Sequence, residues 1–256
     1  MRELERDLPA SATAAELSSL AILGTGRVGG SLAAAARQAG LDVTVLGREA
    51  KRDDFAGFDA ALLCVPDTEI ETAAAAMPPL RFIGHTSGAT QLTALAAVAE
   101  AGASTFSVHP LQTVPDSHTD LTGSPCAISG SDDAALEFAR ALAERLGMQP
   151  FEVAEEDRPA YHAAASIASN FLVTLEESAS GLLAEIGIED ARDLLAPLVL
   201  RTAANWAERG PEALTGPIAR GDEATVGRHI DALEGTAPEL VELYRALAAR
   251  TRELAR

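Results

Sequence analysis

The sequence contains very little cysteine and very little lysine. Cys64 and Cys126 are the only cysteines among 256 residues, so the chain has neither a disulfide framework nor a CxxC pair for a metal. This composition is typical of a reducing compartment, and we expect a cytoplasmic protein. Lys51 is the only lysine beside 19 arginines, so a mechanism that needs an active-site lysine must use this residue.

Long hydrophobic runs and an excess of positive charge are also absent. The first 18 residues carry charges throughout and lack the apolar core of a signal peptide, and no later run approaches the ~20 residues that span a bilayer. Acidic residues number 38 against 20 basic ones, which gives a formal charge of −18. Because a nucleic-acid backbone and an anionic membrane surface would repel this charge, we expect the protein to bind neither.

From residue 19 to residue 153 the sequence alternates short apolar runs with alanine-rich helical stretches. This alternation is typical of an α/β fold in which helices cover both faces of an open, mostly parallel, Rossmann-type sheet. The predicted strands lie near 19–24, 42–46, 59–65, 81–86, 104–108, 125–129 and 149–153. The predicted helices between them lie near 27–39, 68–76, 90–101 and 132–146.

After residue 155 the strand-like runs stop and the pattern is helical. The predicted helices there are 157–186, 189–209, 222–235 and 238–254. A helix of about 30 residues extends roughly 45 Å, which is longer than a small domain needs for itself, so we expect a homodimer built on 157–186. The predicted division is an N-terminal tail (1–17), an α/β domain (18–155) and an all-α domain (156–256).

The first predicted strand runs directly into Gly24-Thr25-Gly26-Arg27-Val28-Gly29, and a helical stretch follows. This GxGxxG spacing at a strand-to-helix turn predicts a dinucleotide-binding loop. Gly24 would permit the tight turn, Gly26 would let the backbone approach a pyrophosphate, and Gly29 would let helix and strand pack closely. The amides at the helix start would hold the negative charge. The alternative is an ordinary glycine-rich turn.

The second predicted strand ends at Leu46-Gly47-Arg48, where an NAD-binding protein usually carries an acidic residue for the ribose hydroxyls. An arginine suits the 2′-phosphate of NADP instead. Residues 27–52 hold five basic residues against two acidic ones, in a chain that is otherwise strongly acidic. We therefore predict NADP as the cofactor, with Arg48 at its 2′-phosphate. A solvated loop that is basic by chance is the alternative.

In an open α/β sheet, ligands bind beyond the carboxyl ends of the strands. The third predicted strand ends there with Val65 and Pro66, which we assign to the cofactor, and the fourth is followed by Ser87, which would orient the substrate. The fifth ends with His109, a candidate proton donor or an anchor for substrate or ribose. A histidine that is hydrogen-bonded to a neighbouring loop is the alternative.

The segment 161–175 is mostly apolar, yet polar residues recur in it every four positions and form one helical stripe. These residues are His162, Ser166, Asn170 and Thr174. Burying such groups unpaired costs about 1–3 kcal/mol each, so they must face a cleft or pair with another helix. On the first interpretation, His162 and Asn170 are catalytic and Ser166 binds the substrate.

A glycine- and proline-containing segment, 214–222, precedes another predicted helix. Asp222 at its end is a candidate helix cap. Arg220 is available to clamp a substrate carboxylate, or else forms a structural ion pair.

Several of these segments together resemble a family of short NADP-dependent oxidoreductases whose second domain is catalogued as a domain of unknown function. They are the GxGxxG turn and the segments HTSG, HPLQT, YHAAASIASNFLVTL and LTGPIARGD. The layout is more distantly similar to the 6-phosphogluconate dehydrogenase and β-hydroxyacid dehydrogenase superfamily, which includes ketopantoate reductase and pyrroline-5-carboxylate reductase. The resemblance implies a Rossmann domain and a helical domain that often dimerises, with a small substrate held in the cleft between them.

The sequence departs from this superfamily at one position. The dehydrogenases and ketopantoate reductase carry a lysine four residues before an asparagine on the first helix of the second domain. Here Asn170 is present, but Ser166 stands in the place of the lysine. The usual proton donor is therefore missing, and His162 or His109 would have to replace it.

Three functions are compatible with these observations. The first is NADPH-dependent reduction of a small carbonyl acid similar to ketopantoate, in which an imidazole protonates the oxygen. The second is reduction of an imine, as in pyrroline-5-carboxylate reductase; an imine that is already protonated needs no strong acid from the protein. The third is a sensor that binds NADP without turnover.

Overall fold

The computed structural model describes residues 17–256. The predicted tail (1–17) therefore lies outside the described residues except for Leu17. The side chain of Leu17 is buried in one of the two core clusters against the sheet, so the folded domain includes this residue.

Seven strands form one sheet. They are β1 (Ser19–Leu23), β2 (Asp42–Leu46), β3 (Ala60–Leu63), β4 (Phe82–His85), β5 (Ser104–Pro110), β6 (Pro125–Gly130) and β7 (Gln149–Glu152). Their order across the sheet is β2-β1-β3-β4-β5-β6-β7, and every neighbouring pair is parallel except β5 and β6. The prediction of a mostly parallel, Rossmann-type sheet is confirmed.

Helices cover both faces of this sheet. They are α1 (Arg27–Gln38), α2 (Ile70–Ala76), α3 (Ala96–Glu100) and α4 (Asp133–Arg145). Side chains of β1 alternate between the faces: Leu20 and Ile22 pack in the cluster that contains α1 and α4, and Ala21 packs in the cluster that contains α2 and α3. Strands buried on both faces read as continuous apolar runs, which is why the sequence showed them clearly.

The remaining chain is helical, as predicted. Its helices are α5 (Arg158–Ala168), α6 (Asn170–Glu185), α7 (Ala191–Arg209), α8 (Gly216–Ala219), α9 (Glu223–Thr236) and α10 (Val241–Leu254). Asp222 caps α9, because its carboxylate accepts from the Thr225 amide at 3.0 Å. No helix among residues 17–256 is both long enough and apolar enough to cross a membrane.

Two differences from the sequence-based division concern α5. The predicted continuous helix 157–186 is wrong, because Ser169 has non-helical backbone angles (φ −120°, ψ −72°) and separates α5 from α6. The chain divides into two compact units between Ser166 and Ile167, not at residue 155. The division falls later because side chains at the start of α5, Arg158 above all, hydrogen-bond to residues of the sheet.

The second unit has a small core and large apolar side chains on its surface. Its buried core cluster consists of Leu233, Ala237 and Val241. By contrast, α6 has no buried residue and the 19-residue α7 buries only Ala191. Large apolar side chains on these two helices are exposed by 40–71%; they are Phe171, Leu172, Val173, Leu194, Leu198, Leu200 and Trp206. Contiguous exposed apolar surfaces of this size are uncommon on monomeric proteins.

Candidate functional site

The turn between β1 and α1 admits no side chain at two of its glycines. Gly24 has φ +128°, and a Cβ there would lie 2.2 Å from the carbonyl oxygen of Cys64. A Cβ on Gly29 would lie 2.1 Å from the carbonyl oxygen of Gly24. Gly26 differs, because a Cβ there would meet no atom within 4 Å. The fold itself therefore requires Gly24 and Gly29, whereas the missing side chain of Gly26 leaves open space above the turn.

The N-terminus of α1 lies in this turn and carries no negative charge. Gly26 is the N-cap residue, no side chain caps it, and the first turn of α1 contains no acidic residue. The unpaired amides and the positive end of the helix dipole favour an anion at such a position. The local geometry is thus the one that the glycine spacing predicted.

A cavity of about 640 Å³ opens beside this turn, at the carboxyl ends of β1, β2 and β3. Its volume is within the range of small-molecule and cofactor sites. Of the predicted cofactor residues, six line it: Gly24, Thr25, Gly26, Arg48, Val65 and Pro66. The other three, Arg27, Val28 and Gly29, form the first residues of α1 and are not among the lining residues. The remaining wall is mostly apolar and includes Phe55, Thr68, Glu69, Thr72 and Met77.

Three of the basic side chains among residues 27–52 already contact other groups of the protein. Arg52 donates to the carbonyl oxygen of Met77 at 2.8 Å, and Arg37 donates to that of Val43 at 3.3 Å. Arg48 forms an ion pair with Glu69, with 3.0 Å between Nη2 and Oε1. The predicted guanidinium is therefore at the cavity, but a carboxylate that the sequence analysis did not consider lies beside it.

A buried polar network ties α5 to the sheet. Arg158 is fully buried, and its guanidinium donates to Ser107 Oγ at 2.7 Å, to Ser129 Oγ at 3.0 Å, and to backbone carbonyls in the segment 87–90. Glu155 lies 3.8 Å from the guanidinium and accepts from the Ser129 hydroxyl at 2.6 Å. Burial lowers the pKa of Arg158, opposed by the charge of Glu155. The network fixes the first turn of α5 over β5 and β6.

Three side chains converge where β5 ends and α5 begins. His109 Nδ1 lies 2.7 Å from the hydroxyl oxygen of Tyr161, and the rings of His109 and His162 have centroids 5.9 Å apart. Gly88, in the loop after β4, touches both imidazoles: a Cβ there would lie 2.8 Å from His109 Nε2 and 2.6 Å from His162 Cδ2. Only glycine at position 88 leaves room for this arrangement, which we call the imidazole cluster.

The imidazole cluster is uncharged at His109 and Tyr161 near neutral pH. Burial lowers the pKa of His109 to about 4, with the neighbouring charges of His162 and Arg158 adding to the effect and Asp67 opposing it. Burial raises the pKa of Tyr161 to about 12. His109 is thus a neutral imidazole and Tyr161 a phenol. His109 Nδ1 either donates to the phenol oxygen or accepts its proton, according to which ring nitrogen carries the hydrogen.

The neighbouring strand β4 carries another histidine, His85. It is fully buried at the end of β4, its Nδ1 accepts from the Ser87 amide at 3.2 Å, and burial lowers its pKa to about 4. Ser87, predicted to orient the substrate, uses its hydroxyl oxygen to accept from the amides of Ala89 and Thr90 at 3.2 and 2.9 Å. The side chain of Ser87 therefore stabilises the loop that carries Gly88.

The other predicted substrate residues lie on helices. Ser166 is half-buried on α5, at the end of the first unit. Asn170 begins α6 and Arg220 follows α8, and both are exposed residues of the second unit. Arg220 has no ion-pair partner within 4.0 Å among residues 17–256, so it is available to a carboxylate, and its substrate role stays a prediction. The same residues contain no cluster of His, Cys, Asp or Glu that could hold a metal.

Sequence reasoning missed three residues of this region. Glu69 stands 21 positions after its partner Arg48, and no local pattern links them. Tyr161 lies one residue before the polar stripe, so the four-residue spacing did not include it. Of the three, Arg158 could most easily have been predicted from the sequence. The spacing Glu155-x-x-Arg158 at a helix start is that of an ion pair between neighbouring turns.

The fold and the glycine turn define a Rossmann-type α/β protein with a helical C-terminal region. The chain belongs to the family of the domain of unknown function DUF2520, whose sequence profile matches residues 124–251. This finding confirms the family resemblance given by the sequence. No curated protein matches the sequence.

Solved structures share the fold at low sequence identity. A Bacteroides fragilis protein with the provisional name NADP oxidoreductase is 21% identical, with a TM-score of 0.76 over 92% of this chain and 98% of that one. A reductive aminase from Aspergillus terreus, solved in complex with NADPH and ethyl-5-oxohexanoate, is 16% identical, with a TM-score of 0.69 over 91% and 93%. The 1-pyrroline-5-carboxylate reductase of Streptococcus pyogenes is 14% identical, with a TM-score of 0.64 over 93% and 97%.

Proposed function

We propose that the protein is an NADPH-dependent reductase of a small molecule. The observation that carries this proposal is the uncapped start of α1, which lies beside a cavity of about 640 Å³ and has no Cβ at Gly26. The residues present fit the cofactor: the amides after Gly26 would hold the pyrophosphate, Arg48 the 2′-phosphate, and the apolar wall that includes Phe55 and Met77 the adenosine. NADP oxidoreductases and NADPH complexes among the proteins of similar fold support the assignment.

The imidazole cluster is the proposed place of reaction. It lies at the end of β5, on the same edge of the sheet as the cavity, because β1, β3, β4 and β5 are parallel neighbours. NADPH, when bound, supplies a hydride. His109 and Tyr161 would hold and orient the group that receives it, and Gly88 leaves room for the two imidazoles.

The protonation state of His109 favours a carbon–nitrogen double bond over a carbonyl. A carbonyl oxygen must gain a proton during reduction. An imidazole with a pKa of about 4 is neutral at pH 7, so His109 is not available there as an imidazolium acid. A protonated imine brings its own proton and needs a neutral acceptor for its N–H. Nε2 of His109 is such an acceptor when Nδ1 donates to the oxygen of Tyr161. The fold shared with a pyrroline-5-carboxylate reductase and a reductive aminase agrees with this choice.

A small carbonyl acid is the second candidate substrate. The observation that favours it is the hydroxyl of Tyr161, 2.7 Å from His109 Nδ1, since a phenol can protonate an alkoxide. On this alternative the phenol or His162 would supply the proton, and Arg220 would bind the carboxylate.

Oxidation of NADPH with a panel of cyclic imines and 2-oxo acids tests the proposal. We expect turnover with at least one cyclic imine and slower turnover with every 2-oxo acid. Turnover with 2-oxo acids alone would select the second candidate. Tight binding of NADPH with no turnover on either class would contradict both and leave the sensor as the function.

We also propose that the protein is a homodimer whose subunits pair through α6 and α7. The exposed apolar side chains of these helices support the proposal, because few residues of the same chain cover them. Light scattering should give twice the chain mass of 26.5 kDa. Leu198→Arg should shift the protein towards the monomer, whereas Leu254→Arg at the end of α10 should not. A monomeric wild-type protein at micromolar concentration would refute the proposal.

A further inference from the structure

The ion pair between Arg48 and Glu69 lies on the wall of the cavity. Arg48 follows β2 by two residues, and Glu69 immediately precedes α2. Arg48 Nη2 lies 3.0 Å from Oε1 and 3.4 Å from Oε2 of Glu69, and both residues line the cavity. The two side chains are 80% and 43% exposed, respectively. Exposed pairs of this kind are weak, so a ligand can exchange for either partner.

We propose that Glu69 is a residue that determines the choice between the two nicotinamide dinucleotides, and that it reduces the preference of this site for NADPH. The proposal rests on the proposed function, since it assumes that a dinucleotide occupies the cavity. A 2′-phosphate that binds Arg48 must displace the carboxylate of Glu69 or remain close to it. Both arrangements weaken the binding of NADPH, by lost pairing or by repulsion between two anions.

Glu69 should strengthen the binding of NADH. Its adenosine ribose carries a 2′-hydroxyl, which can donate to a carboxylate, as it does to the acidic residue of NAD-binding folds. In this chain position 48, after β2, is an arginine, so Glu69 after β3 is the carboxylate at the cavity wall that can serve instead. The pair therefore presents a cation for NADPH and an anion for NADH, and the site should accept both.

Dissociation constants of NADPH and NADH, measured by fluorescence titration of the full-length protein, test this inference. Glu69→Gln keeps the shape of the side chain and removes its charge. The ratio of the NADH constant to the NADPH constant should rise about fivefold, which is the scale of one exposed charge pair. Glu71→Gln is the matched control, because Glu71 is an exposed residue of α2 that does not line the cavity. Its ratio should equal that of the wild type.

The same titrations separate this inference from the proposed function. Arg48→Ala should weaken NADPH far more than NADH. In that background Glu69→Gln should raise the ratio by less than in the wild type, because the competition for Arg48 is gone and only the repulsion of the phosphate and the contact with the 2′-hydroxyl are left to lose. A wild-type protein that binds NADPH but shows the same ratio in Glu69→Gln and Glu71→Gln would overturn the role of Glu69 and leave the reductase proposal intact. A wild-type protein that binds neither dinucleotide would overturn both.

Discussion

Replacing Arg158 with methionine should lower the free energy of unfolding by about 3–5 kcal/mol, the largest effect on stability that we expect from a single substitution. The guanidinium is fully buried and donates to two hydroxyls and two carbonyl oxygens. Methionine fills similar space but leaves these acceptors, and the carboxylate of Glu155, without their cationic donor. Buried polar groups that lose their partners account for most of the expected loss.

Urea unfolding followed by circular dichroism measures this effect. The matched control is Arg192→Met, because Arg192 is 78% exposed and its ion pair with Glu177 lies at the surface. Its stability should change by less than about 1 kcal/mol. Arg158→Lys should lie between the two, since an ammonium keeps the charge but not the planar fork of donors. An Arg158→Met protein as stable as the control would contradict the role given to the network.

His109→Ala should reduce turnover about tenfold to a hundredfold and leave the dissociation constant of NADPH unchanged. The expected factor is that of one hydrogen bond to a charged group. His109 is placed to hold the reacting group, whereas the cavity that would bind the cofactor does not include it. Steady-state kinetics with the best substrate of the panel, together with NADPH titration, give both quantities.

Two further variants sharpen this test. His118→Ala is the matched control, because His118 lies exposed in the loop between β5 and β6, and turnover should not change. Tyr161→Phe keeps the ring but removes the hydroxyl beside His109 Nδ1, and turnover should fall less than in His109→Ala. Full turnover in His109→Ala would exclude the imidazole cluster as the place of reaction.

The pH dependence of turnover carries independent information on His109. Its pKa is lowered from 6.5 to about 4, so the imidazole is neutral throughout the range in which an ordinary histidine titrates. A histidine that must be protonated to act loses activity as the pH rises through its pKa. The wild-type rate should therefore show no decline from pH 6 to pH 8 that disappears in His109→Ala. A decline of that kind, abolished by the substitution, would show that His109 acts as a charged acid and would favour the carbonyl substrate.

The sequence predicted the elements of the fold well because their signals are local. The strands are apolar runs, the helices between them are alanine-rich, and the glycine turn has a fixed spacing at a fixed place between strand and helix. The division at residue 155 and the continuous helix 157–186 were less well predicted. The division depends on the contacts of Arg158 with β5 and β6, and a helical sequence pattern does not reveal which other element binds its first turn. The helix is interrupted at Ser169, where the sequence carries neither glycine nor proline to indicate a break.

Only those site residues that carry a local sequence signal were predicted. Arg48 follows a strand and His109 lies at the end of one, so the rule that ligands bind at the carboxyl edge identified them. Glu69 and Tyr161 act through partners 21 and 52 positions away, and only the folded chain brings these pairs together. The neutral state of His109 could not be predicted either. Burial lowers its pKa, and the sequence does not reveal how deeply an individual side chain is buried.

The proposed function requires that the turn after β1 holds the pyrophosphate of NADPH. Titration of Gly26→Ala with NADPH tests it most directly, because a Cβ at this position meets no protein atom within 4 Å and the fold should tolerate it. The control is Gly227→Ala on α9, where a Cβ also meets nothing within 4 Å. We predict that Gly26→Ala raises the dissociation constant of NADPH at least about tenfold, with an unchanged melting temperature, and that the control does not. Equal affinity for NADPH in Gly26→Ala and the wild type would contradict the binding of the pyrophosphate at this turn.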